Sequence, residues 1–341
     1  MGWKGTMRGL QASIRRSIRE ERRQLREAAR EAKEAARRSE QELAQQIVDR
    51  YQAQIAALTT VHRECGPTIE WSRIAVMPDP VRPAAVTKRT QAAKVALDTY
   101  RPGLFARMFG GAKKRRAELT ETAKQAESED AHETKGAMEA HVRACNELED
   151  ARHLASRVLE GDLDSYAQAL EDMDVFDELR DSGGVDVRVQ VLRRDAVRLD
   201  LVVLEKDVVP DAEESITARG KLSSKKMPKT RGNEIYQDYV CGAALRATRE
   251  VFAALPVDWV LVTVKTDLLD SSSGHVRQFA VLSLVAPRRT VDRLNFAALD
   301  PSDAMAKFKC CMNFKKGAGM LPIEPFTAAD LAELETVPAV T

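Results

Sequence analysis

Gly183-Gly184-Val185-Asp186-Val187-Arg188-Val189-Gln190-Val191 is the stretch in which the chain changes rhythm. Upstream, apolar residues recur at helical spacing in a heavily charged background. From Val185 they alternate, the period-two signature of a half-buried strand. The pattern predicts an α+β protein: a long antiparallel helical hairpin, coiled-coil-like, followed by a compact α/β domain with a mixed sheet of about 4–5 strands. The expected divisions are a basic long helix (1–62), a Pro/Gly-containing connector with a short helix (63–112), a second long helix with a lead-in helix (113–175), the α/β domain (176–326) and a tail (327–341).

Working outward to the N-terminus, residues 7–61 carry Leu10, Ile14, Ile18, Leu25, Ala29, Ala32, Ala36, Leu43, Ile47, Tyr51, Ile55 and Leu58 in steps of three, four or seven. As one helix they would span about 80 Å at 1.5 Å per residue. A second stripe crosses 113–158, and its acidic balance opposes the basic first helix. Matching lengths favour an intrachain antiparallel pair, with self-association or a helical protein partner through 7–61 and 113–158 as the competing arrangement. Exposed charge pairs would set register more than stability. Gly66-Pro67 and the prolines of 78–83 interrupt helix, a short helix is expected over 87–100, and Leu104, Phe105 and Phe109 are expected to plug the end of the hairpin. Residues 154–173 read as another helix.

The net charge of +1 hides segregated blocks. Arg15, Arg16, Arg19, Arg22, Arg23 and Arg26 dominate the start, whereas 118–178 is acidic. Five scattered cysteines without a C-x-x-C pair support neither zinc nor a disulfide framework. No apolar run is long enough to cross a bilayer, so a cytoplasmic protein is expected, and the Arg/Ala-rich composition suggests a bacterial source. Met1-Gly2-Trp3-Lys4-Gly5-Thr6 fits the loose N-myristoylation pattern; an ordinary start is the plainer reading. The histidines lack metal-pair spacing, and His275 reads as a turn residue.

After strands at 185–192 and 196–204, joined at Arg193-Arg194-Asp195, Val191 should face Val197 and Arg188 should fall opposite Asp200. Then comes the best functional lead. Residues 215–233 hold Arg219, Lys221, Lys225, Lys226, Lys229 and Arg231 without one carboxylate, just before an apolar helix expected to open at Glu234. A flexible cationic loop feeding a helix N-terminus suits an anion, phosphate above all. The spacing does not satisfy a nucleotide P-loop. Strands at 259–266 and 278–286, a short helix near Val291, a helix over 304–312 carrying Cys310-Cys311, and Lys315-Lys316 complete the domain.

The leading expectation is therefore a polyanion-binding protein, nucleic-acid backbone first, needing no cofactor and with no metal site, its coiled-coil arm serving oligomerisation or partner contact. The element order also resembles the restriction-endonuclease-like fold over 154–286. Pro210-Asp211 looks like that family's opening dipeptide. The resemblance implies a metal-dependent nuclease using Mg or Mn through Asp200, Glu205, Asp211, Glu214 and Lys221, although no Asp/Glu-x-Lys follows Asp211. A third reading is a coiled-coil scaffold whose basic loop meets an acidic protein.

Overall fold

A computed structural model describes residues 3–103, 107 and 111–330. The Met1-Gly2 start, the expected plug residues Leu104, Phe105 and Phe109, and most of the 327–341 tail lie outside the described residues. The chain divides into two compact units, 1–68 with 170–341 and 69–169. The two long helices fall in different units, and the antiparallel hairpin expected from their lengths is not confirmed.

The smaller unit holds α2 (Trp71–Ala75), α3 (Lys88–Thr99) and α4 (Gly111–Glu160), with α2 and α3 packed on α4. Asp130 of α4 is buried and accepts the Thr90 N–H at 2.8 Å, capping α3 from outside where Thr87 makes no side-chain cap. Burial pushes its carboxyl up, but the Thr90 hydrogen bonds and the Arg89 guanidinium hold it below the usual range. Arg152 ties the connector to α4 through Met77 O and, at 2.9 Å, Asp79. The helix expected over 154–173 is broken: Gly161 takes φ 80°, separating α4 from α5 (Leu163–Asp172). A left-handed residue is cheap only for glycine, so the chain turns there.

The larger unit begins with α1 (Trp3–Thr60), a single 58-residue helix. Residues 27–43 are exposed all round; burial begins with Ala44, Val48 and Leu58, where α1 meets the head. After α6 (Asp177–Gly183) the chain enters β1 (Asp186–Arg193) through Gly184, a left-handed C-cap at φ 60° whose N–H bonds Arg180 O. That turn is the change of rhythm read from the sequence. β1 pairs antiparallel with β2 (Ala196–Val202), with Val191 facing Val197 and Arg188 opposite Asp200 as expected.

The sheet has six strands, more than expected, in the order β1-β2-β5-β6-β7-β8. Its members after β2 are β5 (Trp259–Asp270), β6 (His275–Pro287), β7 (Lys309–Lys315) and β8 (Gly319–Leu321). Only the β2–β5 pair is parallel, which requires a crossover. That crossover is α7 (Lys229–Ala254), lying against β2, β5, β6 and β8 on one side and α1 on another. Small residues permit the close approach: a Cβ on Gly242 would meet Val61 at 2.7 Å. Ala196, Leu261 and Val285 form a buried cluster in the sheet, against which Leu192, Trp259 and Phe326 pack.

Two expectations are corrected at the C-terminal end. In place of the 304–312 helix stand a helical turn, Pro301–Ala304, a 3-10 turn, and strand β7. The open edge of β6 pairs with it, Ser283 facing Cys311 and Leu284 facing Cys310, and that hydrogen-bonding demand outweighs local helical spacing. β5 and β6 also run beyond the expected 259–266 and 278–286, pairing with each other to Asp270 and His275.

No described helix is long and apolar enough to cross a membrane. All five cysteines are free.

Candidate anion-binding site

The expected flexible cationic loop is instead a two-stranded hairpin, β3 (Ala212–Ile216) and β4 (Leu222–Lys226). Its turn is built by Thr217 and Gly220. The Gly220 N–H bonds Thr217 O at 2.8 Å and Gly220 takes φ 73°, while the Thr217 hydroxyl lies 3.0 Å from Lys221 O. Left-handed glycine closing a tight turn is a standard hairpin solution. The hairpin lies on α1, where a Cβ at Gly220 would strike the Gln41 amide at 2.6 Å. Helix α7 starts at Lys229, one turn ahead of the expected Glu234.

These elements split the six expected cations rather than gathering them. Arg219 and Lys221 sit at the hairpin turn. Lys226 ends β4, about 17 Å from Lys221 along an extended strand. Lys225 points to the opposite face of β4 from Lys226 and stands across from Glu213. Arg231 shares the surroundings of Tyr51 with Glu213 and Glu214: burial first, then Glu213, raises the Tyr51 phenol pKa, and Arg231 opposes it. All six are exposed, and none makes an ion pair among the described residues.

Of the six, Lys226 and Lys229 line one pocket, of about 380 Å³, and a third lysine joins them there. Lys206 comes from the 3-10 turn Lys206–Val208 that follows β2. Burial, then the charge of Lys229, holds its amine below the ordinary lysine pKa. Val209, Pro210, Met227 and Pro228 supply apolar wall, Gly232 the helix's contribution to it, and Asp207 and Asp211 two carboxylates. The first turn of α7 has neither a side-chain cap nor an acidic residue, so its leading N–H groups remain available to an acceptor.

Two tyrosines of α7 fix the Lys206 wall. Tyr236 Oη lies 2.8 Å from both Leu204 O and Thr266 Oγ1; Tyr239 Oη donates to Gly183 O at 2.7 Å and accepts the Leu204 N–H at 3.3 Å. Burial pushes both phenols up, Tyr239 to about 12. Deeper in the unit, buried Arg246 bonds Glu250 of its own helix, Glu178 at 2.7 Å and Glu64 at 3.3 Å. Glu250 also accepts the Gly66 N–H at 3.0 Å. This network clamps the chain leaving α1 onto α7.

Sequence reasoning missed Lys206 because Glu205 and Asp207 flank it, so it belongs to no unneutralised run. Lys316 pairs with Glu234 at 2.8 Å, which raises its pKa.

The nuclease residues are not assembled. Asp200 is held by Lys265 at 2.9 Å and Arg198 at 3.1 Å, rather than by Arg188. Burial pushes its carboxyl up, but those two cations keep it low. Glu205 is exposed, Asp211 lines the lysine pocket, and Glu214 accepts the Ser224 hydroxyl at 2.7 Å. Lys221 is at the far turn. Among the described residues no group of three or more His, Cys, Asp or Glu is placed to hold a metal ion. Burial raises the Cys65 thiol to about 11 and the Cys310 thiol to about 12.

No family model matches the chain, and no curated protein or solved structure is similar enough to it to carry an argument.

Proposed function

We propose that this chain binds phosphate-bearing polyanions, nucleic-acid backbone first among them. One observation carries the reading: Lys206, Lys226 and Lys229 share a pocket at the uncapped start of α7, with no ion pair holding any of them among the described residues. A phosphate there would accept charge-assisted hydrogen bonds from ammonium and helix N–H groups. Arg219 and Lys221 at the hairpin turn give a second, exposed contact for a chain of phosphates. Neutralising phosphates releases counterions, so affinity should fall steeply with salt and depend little on sequence. The exposed stripe of α1, including Ala29, Ala32, Ala36 and Leu43, is suited to self-association or a helical partner, and the arginines of its first half add positive charge.

Charge reversal tests this. Lys226→Glu with Lys229→Glu should weaken retention of a duplex oligonucleotide in a gel shift by tenfold or more, with the melting temperature unchanged. Equal retention by the variant and the unaltered protein would contradict the proposal.

A further inference from the structure

Resting on the polyanion reading, we infer that the lysine pocket prefers a terminal phosphate monoester carried on a hydroxylated group over the phosphodiesters along a strand. The argument starts from shape. A pocket of about 380 Å³ is in the size range of small-molecule sites; a duplex lying across it cannot place several phosphates inside.

Charge sharpens the choice. A diester brings one negative charge, whereas a monoester at neutral pH brings about 1.5 to 2 and a third acceptor oxygen. Three lysines line the pocket from separate elements, Lys206, Lys226 and Lys229. Burial and Lys229 already oppose the charge on Lys206, so the more negative group gains more by relieving that repulsion. The two carboxylates in the wall repel any phosphate and so restrict where one can sit, but Asp207 and Asp211 can each accept a hydrogen bond from a sugar hydroxyl. Gly232 is buried in the pocket wall, where a Cβ would sit in contact with Met227 at 3.6 Å and Val209 at 3.8 Å. A larger side chain at Gly232 would therefore crowd the pocket without altering its charge.

The full chain is titrated, by fluorescence anisotropy, into matched oligonucleotides bearing a 5′-phosphate or a 5′-hydroxyl, with ribose 5-phosphate and ribose as competitors. The phosphorylated oligonucleotide should bind about tenfold tighter or more, the effect of roughly one charge-assisted hydrogen bond. Gly232→Leu and, independently, Lys206→Gln should remove that preference, bringing the two oligonucleotides to the same affinity, the second variant guarding against misfolding of the first. Competition by ribose 5-phosphate but not ribose would include free sugar phosphates among the ligands; a preference without such competition would restrict the pocket to strand ends. Salt-sensitive binding of both oligonucleotides with equal affinity would overturn this inference and leave the polyanion reading standing. Failure to bind either would overturn both.

Discussion

Lys206 and Lys229 line one pocket from opposite ends of the segment that carries the hairpin, and the charge of Lys229 adds to burial in lowering the Lys206 pKa. The pair is held in mutual repulsion by the fold around it. A group whose folded pKa lies below its unfolded value opposes folding while protonated, and that opposition fades as pH rises through the folded value. At pH 7 Lys206→Met should therefore raise the melting temperature while weakening oligonucleotide binding. A variant less stable than the parent would show that the amine has a partner this account does not include.

The same logic with opposite sign applies to Asp238 on α7. Burial, with Asp300, Glu234 and Asp303 nearby and only the Ser302 hydrogen bond opposing, raises its carboxyl to about 6. Its folded state favours the proton, so its contribution to stability is complete below about 4 and is lost as pH rises through about 6. Asp238→Asn should be more stable than the parent at pH 8 and nearly equal to it at pH 5. Parallel melting curves for the two proteins from pH 5 to 8 would refute the assignment.

Gly184 is the hinge between the helical and strand halves. Its φ of 60° disfavours any other residue, and a Cβ would lie 2.5 Å from Leu204 Cδ1. Gly184→Ala should cost on the order of 1–2 kcal/mol in chemical denaturation. It should also loosen the Leu204 segment leading to Lys206, seen as faster amide exchange at 204–209. A neutral substitution would mean that this turn does not fix the wall of the pocket.

The buried Arg246–Glu250 pair supplies a fourth expectation. Arg246→Ala would leave Glu250 buried without its cation, a loss of about 3–5 kcal/mol. Combining Arg246→Met with Glu250→Leu should recover part of that loss in equilibrium denaturation. If the double variant is no better than the single one, the clamp on Gly66 matters more than the burial of charge.

Much of this fold is legible in particular residues. The alternation from Val185, the turn at Arg193-Arg194-Asp195 and the Pro/Gly breaks after α1 identify their elements, and even the Arg188–Asp200 register follows from which face is buried. β7 is not legible locally, because what makes Lys309–Lys315 a strand is the unpaired edge of β6. The candidate site divides the same way. Lys226 and Lys229 announce themselves by lying in a run without acids, whereas Lys206 is masked by Glu205 and Asp207. It joins them because Tyr236 and Tyr239 fasten Leu204 to α7, a contact between distant parts of the chain. The separation of Arg219 and Lys221 from the pocket follows from β4 being extended, which a count of positive charges does not disclose.

The most direct measurement is the salt dependence of binding to a 5′-phosphorylated duplex, compared between the unaltered protein and the Lys206→Ala, Lys226→Ala, Lys229→Ala triple variant. If these three side chains hold a phosphate, the slope of log Kd against log salt should become shallower by about one to two in the variant, with its melting temperature no lower. An unchanged slope would contradict the account, since phosphate contact would then lie elsewhere on the molecule.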